Sequence, residues 1–348
     1  MDDPRASIPL LRSLEGLRLI SSLGIVSIHM LPHVGLIPPD GFDLFVDLFF
    51  VISGIVIGQL YVGAIENWST YGTFLRRRLA RIYPLHLATL LFYIAIGFGV
   101  ARYHLTVDDP SRFDTGQILP NLLLVQAWFP NGRLSYNFVS WSISAELFAY
   151  LCFPLIAALA TRRAAWGLAA LLLMLALSIA IAEGLLGRPL TALRWDCSLP
   201  RVIPSFAFGI FMSRFGGDIL RWAGGATVRA AFTVFAIGTV AGMALGVSSY
   251  TLLALIWGLG ASAYLCDLDG WRTIAAWRPI SDRGYLTYSL YMLHVPVSTV
   301  FLSFVFPRLL GASPAALAAS IVLATIILFA AAELSFRLFE QPLRKRLR

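Results

Sequence analysis

Five ionisable side chains stand inside long apolar runs of this 348-residue sequence: Arg18, His29, Asp47, Glu146 and His294. Placing such a group in hydrocarbon costs about 2.5 to 3.5 kcal/mol on insertion scales, so each one marks a site by default. Their types point to proton and anion chemistry. An imidazole titrates near about 6.5 and exchanges protons at neutral pH, a carboxylate orients or charges a histidine, and a guanidinium holds anions.

Spacing organises these residues. Arg18 and His29 are 11 positions apart; at about 100° per residue this returns to one helix face, with about 16 Å between them along the axis. Ser22 falls on the same stripe. Asp47 lies five residues into an apolar run that opens at Phe42, Glu146 sits similarly after Trp141, and His294 comes ten residues after Gly284, below Tyr288 and Tyr291. If these runs cross a membrane in alternating sense, His29, Asp47, Glu146 and His294 fall at similar depth on four helices. One buried polar site is then expected.

The elements that position them are membrane helices. The chain is 58% hydrophobic and 13% charged, with a mean hydropathy of +0.76, whereas a soluble domain carries about 25% charge. Runs of about 20 apolar residues cross a bilayer. Ten are present: Leu17 to Ile37, Phe42 to Gly63, Tyr83 to Val100, Ser140 to Ala160, Ala164 to Leu186, Pro200 to Phe215, Ala226 to Gly246, Ser248 to Cys266, Gly284 to Phe306 and Pro314 to Leu334. The expected fold is an all-α polytopic bundle, one domain over residues 1–348 with no separate soluble domain. The apolar piece Ile118 to Phe129 is only 12 residues long, too short for a crossing.

Basic residues orient the bundle, because short cytoplasmic loops are rich in Lys and Arg. If Ile118 to Phe129 does not cross and the N-terminus is cytoplasmic, 19 of the 27 basic residues lie inside. If it does cross, most lie outside. Ten crossings with both termini cytoplasmic are therefore expected, with the short piece re-entrant or at the outer surface. The net charge of +8 comes from arginines between apolar runs, with Lys345 the only lysine; that placement reads as topology and excludes a nucleic-acid face. Cys152, Cys197 and Cys266 form no disulfide framework or metal-ligand spacing, and no metal is expected. Met1 to Ser13 reads as a polar lead-in without a removable signal peptide. His33, His86 and His104 fall near run ends, where water satisfies them.

The same residues carry a family resemblance. Ser13-Leu14-Glu15-Gly16-Leu17-Arg18 followed by His29, Asp47 to Gly54, Arg76-Arg77-Arg78-Leu79-Ala80-Arg81-Ile82-Tyr83-Pro84, Trp141 to Glu146, Tyr288 to Pro296 and Phe339-Glu340-Gln341-Pro342-Leu343-Arg344 occur in one order over most of the chain. In this the sequence resembles the integral-membrane acyltransferase type 3 family, which acts on O-antigen, peptidoglycan, nodulation factors and macrolides. It departs in Glu15 and Leu19, where the family often has Asp and Gly, and no esterase-like domain follows the membrane part.

The resemblance implies a bacterial cytoplasmic-membrane enzyme that moves an acyl group, acetyl being the expected one, from cytoplasmic acyl-CoA to a hydroxyl of a carbohydrate-containing acceptor. His29 is then the general base or the acyl carrier. Glu146 and Asp47 are its candidate acidic partners. Arg18 with the cluster Arg76, Arg77, Arg78 and Arg81 would hold the phosphates of coenzyme A. Tyr288, Tyr291, His294 and Trp141 would line the acceptor or thioester tunnel. Each has a plainer reading: a hydrogen-bonded core histidine, a helix-packing carboxylate, an arginine run that only sets topology, aromatic packing. A transporter or flippase of a lipid-linked or glycan substrate is the alternative function, since it too places ionisable residues at the midplane; it predicts inverted-repeat halves, and none is visible.

Overall fold

The chain is helical wherever its sequence stays apolar over a membrane's thickness. The computed structural model describes residues 11–104, 107, 109–130 and 132–347, and among them there is no strand. The principal helices are α1 (Arg12–Met30), α2 (Phe45–Tyr61), α3 (Trp68–Tyr103), α4 (Trp141–Leu151), α5 (Phe153–Thr161), α6 (Ala164–Ile179), α7 (Leu199–Ala223), α8 (Gly225–Leu245), α9 (Ser249–Leu268), α10 (Thr287–Val297) and α11 (Pro314–Leu334). Among the described residues eight helical stretches are long and apolar enough to cross a membrane, and nine if α4 and α5, bent by 66°, make one span. The remaining expected run is α7, a continuous 25-residue helix made more polar by Arg201, Arg214, Asp218 and Arg221. All ten expected runs are thus helical, and this is a multi-pass membrane protein.

Ile118 to Phe129 is no span. It forms a five-residue helix, Ile118–Leu122, then folds back in turns among the helices. Irregular backbone at this depth requires partners from the protein, and it has them. The His86 ring meets the Asn121 carbonyl at 2.8 Å, the Trp128 indole donates to Ser144 O at 2.9 Å, and Ser198 Oγ donates to Ala127 O at 3.0 Å. His86, expected at a wet run end, is instead buried at 1% exposure and anchors this segment.

The arginine run is also placed differently from the expectation of a loop. Asn67 caps α3, its Oδ1 accepting from Ser69 N at 3.0 Å and Thr70 N at 3.1 Å while Thr70 Oγ1 accepts from Asn67 N. This reciprocal capping box satisfies the first orphan amides, so the helix begins at Trp68 and runs 36 residues. Arg76, Arg77, Arg78 and Arg81 therefore ride on α3 itself.

Three contacts fix the frame around the site. α2 and α7 meet through glycines: a Cβ built on Gly54 would stand 3.0 Å from Gly209 Cα, so only small residues let the backbones approach so closely. The Asp267 carboxylate caps α1, accepting from Ser13 N at 3.0 Å and Leu14 N at 3.3 Å. α10 carries Pro296, which has no N–H for the carbonyl one turn back. That carbonyl, Met292 O, accepts from Asn137 Nδ2 at 3.1 Å. Asn137→Leu is expected to cost about 1 to 3 kcal/mol by stranding it. Thermal unfolding in detergent checks this, and an unchanged midpoint would remove Asn137 from the frame.

Candidate active site

A cavity of about 80 Å³ opens between α1, α2, α3, α4 and α10. Its charged lining is Arg18, Arg78, Arg81 and Glu146, and its other walls include Ser53, Ser142, Tyr288 and Tyr291. Arg78 and Arg81 are three apart on α3 and so share a face. Among the described residues, the Arg78 guanidinium hydrogen-bonds to the Tyr61 hydroxyl at 3.5 Å and lies 5.4 Å above the Tyr61 ring. Neither arginine has a carboxylate partner in an ion pair among the described residues, whereas Arg18 is paired with Glu15 at 3.1 Å. Arg76 is exposed on α3, and Arg77 is half-buried; neither lines the cavity.

Glu146 accepts from Ser53 Oγ at 2.5 Å and has Tyr150 beside it on the cavity wall. Tyr288 reaches the Ile82 carbonyl on α3. One turn before Glu146 on α4, Ser142 donates to the Tyr291 hydroxyl at 2.8 Å, and that hydroxyl donates to Val139 O at 2.9 Å.

Behind Tyr291 lie the two histidines. α1 and α10 run side by side in register: Ser22 Oγ donates to Thr287 O at 3.3 Å, and seven residues further along both helices the His29 and His294 rings stack, centroids 5.2 Å apart and 27° between planes. His294 is fully buried. Its Nδ1 lies 2.7 Å from Tyr291 O, its ring is 5.9 Å from the Tyr291 ring, and its Nε2 has no hydrogen-bond partner among the described residues. His29 is half-buried, meets the Phe138 ring edge-on at 5.2 Å, and has Arg112 and Arg194 within electrostatic reach. It does not line the cavity, and no contact joins it to Glu146 among the described residues. The expected carboxylate–imidazole pair is replaced by a longer path, Glu146 to Ser142 along α4, then Tyr291, His294 and His29.

Asp47 is committed elsewhere. Its carboxylate faces Arg201, with Nη2 to Oδ2 at 2.7 Å and both side chains 1% exposed. Arg201 also donates to Leu193 O and Asp43 O, each at 3.2 Å, and its guanidinium lies 5.4 Å over the Trp141 ring. Trp141 is thus part of this buried knot between α2, α4 and α7 and does not line the cavity.

Of the sequence-derived candidates, Arg18, Arg78, Arg81, Glu146, Tyr288 and Tyr291 share the cavity wall, and His29 with His294 forms the adjoining pair. Ser53, Ser142, Arg112 and Arg201 were not singled out. Arg201 was visible as a charge opening an apolar run, and Ser142 as the residue one helical turn before Glu146. Arg112 sits in the connection between α3 and α4, its guanidinium 4.5 Å from the Tyr93 ring and 5.3 Å from that of Phe138, and nothing in the sequence pointed to it.

A multi-pass bundle enclosing arginines, a carboxylate and a histidine pair fits an integral-membrane group-transfer enzyme. A family model described as an acyltransferase domain matches residues 11–333, and the chain belongs to that family: it is a membrane acyltransferase. It is 30% identical to Acyltransferase MdmB of Streptomyces mycarofaciens over 323 residues, covering 82% of this chain and 79% of that protein. It is also 34% identical to Protein 2 in picA locus of Rhizobium radiobacter over 145 residues, 38% of this chain and 75% of that one. No solved structure matches it.

Proposed function

We propose that this protein is a single-domain O-acyltransferase of a bacterial cytoplasmic membrane, both termini cytoplasmic, that moves an acetyl group from acetyl-CoA to a hydroxyl of a carbohydrate-containing acceptor. The observation that carries the donor half is the pair Arg78 and Arg81, which line the cavity and form no ion pair among the described residues, so that with Arg18 the wall holds three guanidinium groups against the single carboxylate of Glu146. Phosphate oxygens suit such guanidinium groups. A pyrophosphate cannot enter the apolar interior, but a pantetheine arm and its thioester can. The cavity extends from these arginines to Tyr291, behind which the histidine pair stands.

In this reading the acceptor oxygen attacks the thioester carbonyl as its proton passes to His29. The C–S bond breaks, and the departing coenzyme A thiolate takes that proton back from the imidazolium. His294 holds the His29 ring by stacking. Glu146 offsets the arginines at the cavity wall, and Asp47 positions α2 against α7.

The test uses the reconstituted protein with acetyl-CoA labelled in the acetyl group and a cell-envelope glycan fraction. Transfer of label and saturable coenzyme A binding are expected; absence of both, with no acetyl-CoA hydrolysis, would overturn the assignment. Arg78→Gln with Arg81→Gln is expected to weaken donor binding about 10- to 100-fold, since a charge-assisted hydrogen bond contributes about 1.5 to 3 kcal/mol. Donor affinity equal to the parent's would exclude these arginines.

A further inference from the structure

A second, more open pocket of about 370 Å³ lies at the His29 end of the bundle. It is built from three loops: the segment entering α2, the connection between α6 and α7, and the turn from α8 into α9. We propose that this groove is the acceptor subsite and binds a neutral sugar residue through its hydroxyls. The proposal rests on the acyl-acceptor reading above.

The lining carries the argument. Asp40 is an exposed carboxylate without an ion-pair partner among the described residues. Asp43 pairs with Arg194 at 3.1 Å, Thr191 Oγ1 donates to Ser249 Oγ at 2.8 Å, and Leu252 supplies an apolar patch. Carboxylates accept, a guanidinium donates, and hydroxyls do both; this mixture matches a ring of vicinal hydroxyls with an apolar face. Two carboxylates against one guanidinium leave the groove net negative, so a phosphate or uronate is repelled and a neutral sugar is not.

The walls are held in place before any ligand arrives. Leu190 N donates to the Tyr250 hydroxyl at 3.0 Å, that hydroxyl donates to Glu183 at 2.5 Å, and Arg188 is ion-paired with Asp196. Arg194 joins this groove to the chemistry, since it lines the groove and stands within electrostatic reach of both His29 and Tyr291. The groove lies apart from the donor cavity and shares no lining residue with it.

The experiment measures saturation-transfer NMR of methyl glucoside, methyl rhamnoside, methyl N-acetylglucosaminide and methyl glucuronide on the protein in nanodiscs, beside acetyl-CoA hydrolysis. The parent is expected to bind at least one neutral glycoside and to bind the glucuronide at least tenfold more weakly. Asp40→Asn should weaken the neutral glycoside severalfold while strengthening the glucuronide, opposite movements that a folding defect cannot produce. Binding of no glycoside, equal binding of both classes, or no response to Asp40→Asn overturns the subsite. If glycosides behave as expected but acetyl-CoA is neither bound nor hydrolysed, the donor assignment fails and the groove stands.

Discussion

His29→Ala is expected to lower acyl transfer about 10²- to 10⁴-fold, the range in which a positioned general base contributes, while coenzyme A binding stays at the parent's level. The two effects separate because His29 stands behind Tyr291 and outside the donor cavity. His294→Ala removes the ring stacked on His29 and the contact with Tyr291 O, so it should reduce turnover less than His29→Ala. The measurement is a steady-state assay on protein whose thermal unfolding midpoint has been matched to the parent. Full activity in folded His29→Ala would place the proton transfer on another residue, and His294, with its unpartnered Nε2, would be next.

Asp47→Ala is expected to destabilise the fold by about 3 to 5 kcal/mol, because it leaves the Arg201 guanidinium buried and uncompensated. The pair is 1% exposed on both sides, so no solvent screens the loss. Replacing both partners, Asp47→Leu with Arg201→Met, should recover much of that stability, as apolar substitutes commonly do for buried pairs. Unfolding of the three variants in detergent, read against activity of whatever remains folded, separates the roles. An Asp47→Ala protein that melts like the parent but no longer transfers acyl groups would make Asp47 a catalytic carboxylate after all.

The sequence was most legible where a single helix carries the information. Apolar run length located each span, and the interval from Arg18 to His29 put both on the face of α1 that meets α10, because helical periodicity is a local property. The start of α3 was missed although its signal was present: Asn67 and Thr70 form a capping box, but the arginines that follow interrupt the apolar run on which the reading relied. What could not be read is pairing across distance. Arg201 neutralises Asp47 across 154 positions, and the stacking of His29 on His294 depends on how α10 is rotated toward α1. The carboxylate facing His29 was inferred from equal depth alone, and depth does not fix azimuth: Glu146 turns to Ser53.

The 36 residues of α3 span about 54 Å at 1.5 Å each, against a hydrocarbon slab of about 30 Å. Such an over-long rod must lean, or project as a mast beyond the lipid tails. Arg76 and Arg77 do not line the cavity, while Arg78 and Arg81 on the same rod do. Reconstitution into bilayers of shorter acyl chains should therefore change the lean of α3, and with it the setting of Arg78 and Arg81, before it disturbs the histidine pair.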